Sequence, residues 1–154
     1  MEENEIITKN NRTFTNSHLT LDETRAKNVI QFIEKHYTET ISLDDIASSI
    51  HVSKGECCRC MKRCVKTTPF EYLMKYRIYK AATLIIENEN NTPISTLASS
   101  VGFNNSSYFN KLFKKYLQCT PSEYKHSAFR TELNLLYLKH PFQEEEQDHS
   151  LLIP

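Results

Sequence analysis

Two stretches of this chain carry residues whose type and spacing could do chemistry. One is ECCRCMKRC, from Glu56 to Cys64, where cysteine offers a nucleophilic thiolate, a redox couple or a soft metal ligand. The other is SSYFNKLFKKY, from Ser106 to Tyr116. There Phe109, Leu112, Phe113 and Tyr116 recur at i, i+3, i+4, i+7, the period of an amphipathic helix with one buried stripe. The opposite face reads Ser106, Ser107, Asn110, Lys111, Lys114. Short hydrogen-bonding groups at the start of a helix, then amines further along, suit a helix whose N-terminus meets DNA base edges.

The cysteines have a simpler account. Cys57, Cys60 and Cys64 stand at i, i+3, i+7 and share an inner helical face, where free cysteine packs as a small hydrophobe. Tetrahedral zinc needs a fourth ligand and usually a knuckle in a loop, and one rigid helix presents three thiols poorly to a single ion. No metal and no cofactor are expected. Cys58 points outward beside Arg59, Lys62 and Arg63, cations of the kind that lower a thiol pKa, which makes it the candidate redox residue. His36, His51 and His126 are scattered, no Ser-His-Asp or H-E-x-x-H spacing occurs, and no glycine-rich phosphate loop is present, so no catalytic residue is assigned.

The totals set bounds on what must position these residues. At 154 residues there is material for one domain or two small ones. Five cysteines, four of them between Cys57 and Cys64, make no spaced disulfide framework. The longest apolar runs fall far short of the ~20 residues that span a bilayer, and the acidic MEENE opening is unlike a targeting segment. A cytoplasmic location without membrane contact is the expectation. Net charge is zero, but residues 25–128 hold 15 Lys plus Arg against 9 Asp plus Glu, a net +6. The acid is concentrated in the ends and the middle is basic.

Two glycines and five prolines argue against a β-protein rich in tight turns, and every periodic segment is helical. Seven helices are expected. The first follows Thr20, with Glu23 as its capping-box acid, and runs to about Thr38. Ser42 with Asp45 opens the second, and Ser53 with Glu56 opens the third, to about Lys66. Thr68, Pro69 and Glu71 start a long fourth helix, to about Asn88. Thr92 with Pro93 repeats that device for the fifth, closed by Gly102 in a left-handed cap. Asn104 or Asn105 caps the sixth, and Thr120, Pro121 and Glu123 start the seventh. The first 18 or so residues show no sustained period and are expected to be a flexible arm.

ISLDDIASSIHVSKGECCRCMKRCVKTTPFEYL and TPISTLASSVGFNNSSYFNKLFKKYLQCTPSEYK agree at many places, so the chain contains a duplicated unit. Each copy is a short helix, a tight turn and a second helix with a polar, basic outer face: a helix-turn-helix twice over.

Gly102, Phe103, Asn104, Ser107, Tyr108, Phe109, Phe113, Lys114, Lys115, Thr120, Pro121 and Tyr124 resemble the hallmark of the AraC/XylS transcriptional regulators. Upstream, LDDIA, Ser53, Arg59 and Tyr76-Arg77-Ile78 with Ala81 fall where that family has them. The resemblance covers about residues 20–126. It implies an all-α fold of two helix-turn-helix subdomains joined by a long central helix: a flexible arm over 1–19, a first subdomain over 20–67, a linker helix over 68–90, a second subdomain over 91–127 and an extension over 128–154. It further implies a bacterial, cytoplasmic and nucleoid-associated regulator that places helices 3 and 6 in successive major grooves of double-stranded promoter DNA. RNA polymerase is a candidate second partner.

Carried across residue by residue, the resemblance puts base contacts at Gly55, Cys58, Arg59 and Lys62 in helix 3 and at Ser106, Ser107, Asn110 and Lys111 in helix 6. Arg63, Lys114 and Lys115 fall to phosphate. Gly55 offers no side chain and Glu56 brings negative charge near phosphates, so the first half is expected to read fewer bases; Glu56 can also serve the Ser53 cap. The alternatives are a thiol-based redox or metal-responsive regulator using the Cys57–Cys64 cluster, and a protein-interaction module with reduced DNA binding. A DNA-repair alkyltransferase lacks its four-cysteine zinc module here. Phe129, Leu133 and Leu136 suggest a tail folded on the core, or a dimer or partner surface over 128–142. The family's usual sensing domain has no place in this length, leaving a stand-alone regulator or a fragment.

Overall fold

A computed structural model describes residues 19–87 and 92–126. Residues 1–18, 88–91 and 127–154 lie outside that range, and with them the expected N-terminal arm and the extension holding Phe129, Leu133 and Leu136. Among the described residues seven helices follow in order: α1 Leu21–His36, α2 Leu43–Ser49, α3 Lys54–Val65, α4 Pro69–Glu87, α5 Ile94–Ser100, α6 Ser106–Leu117 and α7 Pro121–His126. The fold is all-α, as the composition required.

Most starts are set by the caps the sequence advertises. Thr20 and Glu23, Ser42 and Asp45, Thr68 and Glu71, and Thr120 and Glu123 each exchange two hydrogen bonds, backbone N–H to side chain in both directions. Each pair satisfies two of the donors that a helix start leaves open. Asn105 is the cap of α6, its Oδ1 accepting from Tyr108 N at 2.9 Å. Two starts differ from expectation. Pro93 is the cap of α5 and no side chain bonds there, because proline occupies the place that Ser42 holds in the first unit and carries no acceptor. At α3, Ser53 Oγ accepts from Glu56 N, but the Glu56 carboxylate does not return the bond; it is held elsewhere.

The duplication is visible bond for bond. His51 N donates to Ser48 O and Val52 N to Ala47 O; Gly102 N donates to Ser99 O and Phe103 N to Ala98 O. His51 and Gly102 both have positive φ, at 57° and 94°. The closing residues Lys66 and Gln118 are left-handed as well, the usual way to turn a chain off a helix end.

α4 packs against helices of both units, α1 to α3 through one part of its surface and α5 to α7 through another. Its buried residues run from Pro69 to Ile85. The first unit closes around Val29, Ile30, Ile33, Ile46, Cys57, Cys60 and Met61, the second around Val101, Phe109, Phe113 and Tyr124. Successive rings there meet edge-on or tilted, with Phe103–Phe109 at 5.2 Å, Phe109–Phe113 at 5.6 Å and Phe113–Tyr124 at 5.5 Å, the arrangement that aromatic quadrupoles favour.

Candidate nucleic-acid interface

α6 buries Phe109, Leu112, Phe113 and Leu117 and leaves Tyr116 half-covered. With that stripe fixed, Ser106, Ser107, Asn110 and Lys111 all stand exposed on the far side. Their side chains make no hydrogen bond or ion pair among the described residues, so their donors and acceptors are available to a ligand. Lys114 and Lys115 are exposed one turn further along, with the Lys115 ammonium 5.6 Å from the Tyr116 ring.

α3 presents the equivalent face in a different state. Gly55, Arg59, Lys62 and Arg63 are exposed and Cys58 is half-exposed. The basic side chains are engaged. Arg59 donates from Nε and Nη2 to Glu56 Oε2 at 3.2 and 3.0 Å. Arg63 donates from Nε to Asp22 Oδ2 at 2.7 Å and from Nη2 to Glu56 Oε1 at 3.0 Å. Arg25 lies 3.6 Å from Glu56 and 3.8 Å from Asp22, while Lys62 lies 3.7 Å from Glu71. The hydrogen bond from Arg63 holds the Asp22 carboxyl below the ordinary range, and those from Arg63 and Arg59 do the same for Glu56. The Arg63 guanidinium is pushed up in return, first by Asp22.

Glu56 therefore does not serve the cap; it is the shared acceptor of an ion cluster that also takes in Asp22 and Arg25 of α1. Nothing in the sequence announced those two, since Asp22 and Arg63 are separated by 41 positions and meet only because α1 packs on α3.

The inner cysteines behave as core. Cys57 and Cys60 are fully buried, and burial pushes both thiols up to about 11. Cys60 Sγ donates to Asp22 O at 3.1 Å. Among the described residues, no three His, Cys, Asp or Glu side chains gather as a metal site. Arg59 and Arg63, two of the cations flanking Cys58 in sequence, are turned onto Glu56 and Asp22. No helix among the described residues is long and apolar enough to cross a membrane.

A family model described as a helix-turn-helix domain matches residues 46–127, just over half of the chain. The HTH-type transcriptional regulator YdeC of Bacillus subtilis is 41% identical over 101 residues, covering 66% of this chain and 34% of that protein. The C-terminal domain of the response regulator yesN from Fusobacterium nucleatum is 31% identical with a TM-score of 0.60, covering 66% of this chain and 98% of that one. The DNA-binding domain of AdpA, solved with a target DNA, shares the fold at 18% identity and a TM-score of 0.60, covering 66% and 89% of the two chains. The chain belongs to the AraC-type helix-turn-helix family of DNA-binding transcriptional regulators. It spans about a third of the length of the curated relatives it matches.

Proposed function

We propose that this chain binds double-stranded promoter DNA sequence-specifically, with α6 in one major groove and α3 in the next. The observation that carries the reading is the exposed, unpaired polar face of α6, set over a buried aromatic stripe, with the exposed basic face of α3 at the equivalent place in the duplicated frame. α4, at 19 residues, is about 28 Å long at ~1.5 Å per residue, close to the ~34 Å between successive major grooves on one side of B-DNA. Bending the duplex would take up the remainder and add preference at untouched bases.

In this reading residues 20–67 and 91–127 are the two reading units and 68–90 the linker. Ser106, Ser107, Asn110 and Lys111 meet base edges, Asn110 being suited to adenine; on α3, Cys58, Arg59 and Lys62 do so, with Arg59 suited to guanine. Lys114 and Lys115 meet phosphate, and Arg63 joins them by exchanging a carboxylate partner for a phosphate. The chain performs no catalytic step, works in the cytoplasm on the nucleoid and cooperates there with RNA polymerase.

Selecting sites from random duplexes and then titrating salt tests this. A DNA reader returns an asymmetric motif of two boxes about one turn apart, with affinity falling steeply as salt rises. A chain that enriches no motif, or binds with a flat salt response, is not one.

A further inference from the structure

The arrangement around Arg59 gives Gly55 and Glu56 a task. The Arg59 guanidinium folds back toward the start of α3, so that a Cβ at Gly55 would lie 3.2 Å from its Nη1 and 3.8 Å from its Cζ. Any side chain at position 55 crowds the guanidinium. Glu56 takes one edge of it, through Nε and Nη2. The other edge, formed by Nη1 and the second N–H of Nη2, meets no acceptor among the described residues, and the side chain is 62% exposed.

We propose that Gly55 and Glu56 are positioning residues that seat Arg59 as the guanine reader of the first unit, Gly55 by leaving room and Glu56 by clamping the side-on edge. The proposal rests on the DNA-binding reading above and names the specificity determinant of α3. Guanine presents O6 and N7 to the end-on fork of arginine, the edge left open here. A long side chain held in place before binding has less freedom to lose when it docks. Helical side chains lean toward the N-terminus, the end of a recognition helix that reaches base edges.

The acid does not turn the helix into a repulsive surface. Glu56 and Asp22 are outnumbered by Arg25, Arg59 and Arg63 in the cluster, so its net charge toward phosphate is positive. Gly55 is then a support for the contact beside it and makes no contact of its own.

The test is site selection by the wild-type chain and by Arg59→Ala, Arg59→Lys, Glu56→Gln, Glu56→Ala and Gly55→Val, each checked for folding by thermal melting. Wild type should prefer one G·C pair in the first box by roughly 10- to 100-fold. Arg59→Ala and Arg59→Lys should both erase that preference, the lysine variant with its salt slope intact. Glu56→Ala and Gly55→Val should blur it several-fold, with Glu56→Gln between them and wild type, and second-box preferences should not move.

Two outcomes overturn the seat alone. One is a first-box motif untouched by Arg59→Ala. The other is tighter binding by Glu56→Ala with the same G·C preference, which would make the carboxylate a restraint that holds Arg59 off DNA. A wild-type chain that selects no motif in either box overturns the DNA reading itself.

Discussion

The guanidinium of Arg77, on the linker helix, donates from Nε to the carbonyl oxygen of Tyr37 at the end of α1, at 2.7 Å. Nη2 reaches Glu39 O at 2.8 Å, and Cζ lies 5.8 Å from the centre of the Phe103 ring in the second unit. One buried side chain thus touches both helix-turn-helix units. Among the described residues no carboxylate pairs with it; burial pulls its pKa down, and the carbonyls it bonds at and just beyond the negative end of α1 offset part of that cost. Arg77→Lys, with no fork to reach both carbonyls, should lower stability by about 1–3 kcal/mol. Thermal or urea unfolding reads the loss, and an unchanged midpoint would deny Arg77 this role.

The same spot explains why Gly102 differs from its counterpart. His51 adopts a positive φ with a side chain, so the turn does not itself require glycine. At Gly102 a Cβ would stand 2.4 Å from Tyr37 O and 2.8 Å from Arg77 Nε. Gly102→Ala should therefore cost about 3 kcal/mol, from crowding on top of left-handed strain, whereas His51→Gly should stay within about 1 kcal/mol of wild type. Equal losses at the two sites in urea unfolding would mean that backbone conformation alone matters.

Much of this frame could be read from the chain. The helix order, four capping boxes, the left-handed Gly102 and the buried stripe of α6 follow from local chemistry: a hydroxyl and an acid three residues apart, a residue without Cβ, and a 3.6-residue period. What depends on packing between helices could not be read. Glu56 has the spacing of a capping acid, but arginines brought beside it from α1 and from its own next turns win the carboxylate. Pro93 looks like the proline at position 69 until one sees that it stands where Ser42 does. The exposed face of α6 was legible because a buried stripe fixes its opposite; the pairing that covers the face of α3 was not.

Acid should weaken the fold through groups already named. The Asp22 and Glu56 carboxyls are depressed by the arginines, Asp45 by the Ser42 hydroxyl, and Glu71 and Glu123 by the backbone N–H groups of Thr68 and Thr120. A depressed folded-state pKa means that the unfolded chain takes up protons first. These contributions are complete above the ordinary carboxylate range, at about 4, and fade as pH falls through the lower folded-state values. Melting temperature should drop steadily from about pH 5 to pH 3, less steeply in Glu71→Gln and Glu123→Gln, which start lower. A flat profile over that range would contradict the depressed values.

Thiol labelling should follow burial. Cys58, Cys64 and Cys119 are all half-buried, but Cys64 and Cys119 pack against the core, where burial raises their thiols, and Cys57 and Cys60 are fully covered. With a thiol-specific disulfide reagent at neutral pH, Cys58 should react first, and Cys57 and Cys60 only on unfolding. The raised Cys57 and Cys60 pKa values also stabilise the fold below the free thiol value of about 8.5, and that share is lost as pH climbs toward about 11. Rapid modification of Cys60 in the folded chain would show that the core is open. A bulky adduct on Cys58 should weaken DNA binding, and Cys58→Ser should escape that effect.

The second unit offers the sharpest separation of reading from holding. Asn110 is exposed in the first two turns of α6 and Lys114 one turn later; in the proposed DNA-bound arrangement the first meets base edges and the second the phosphate backbone. A bidentate amide on adenine discriminates by about 1–3 kcal/mol, so Asn110→Ala should relax one position of the second box and leave the salt dependence as it was. A lysine on phosphate releases about one counterion, so Lys114→Ala should weaken every sequence alike and reduce the slope of log affinity against log salt by about one. Fluorescence anisotropy at several salt concentrations, on the selected site and on one changed at the adenine, measures both effects. If Asn110→Ala lowers the salt slope while Lys114→Ala alters base preference, α6 lies in the groove in another orientation than the buried stripe dictates.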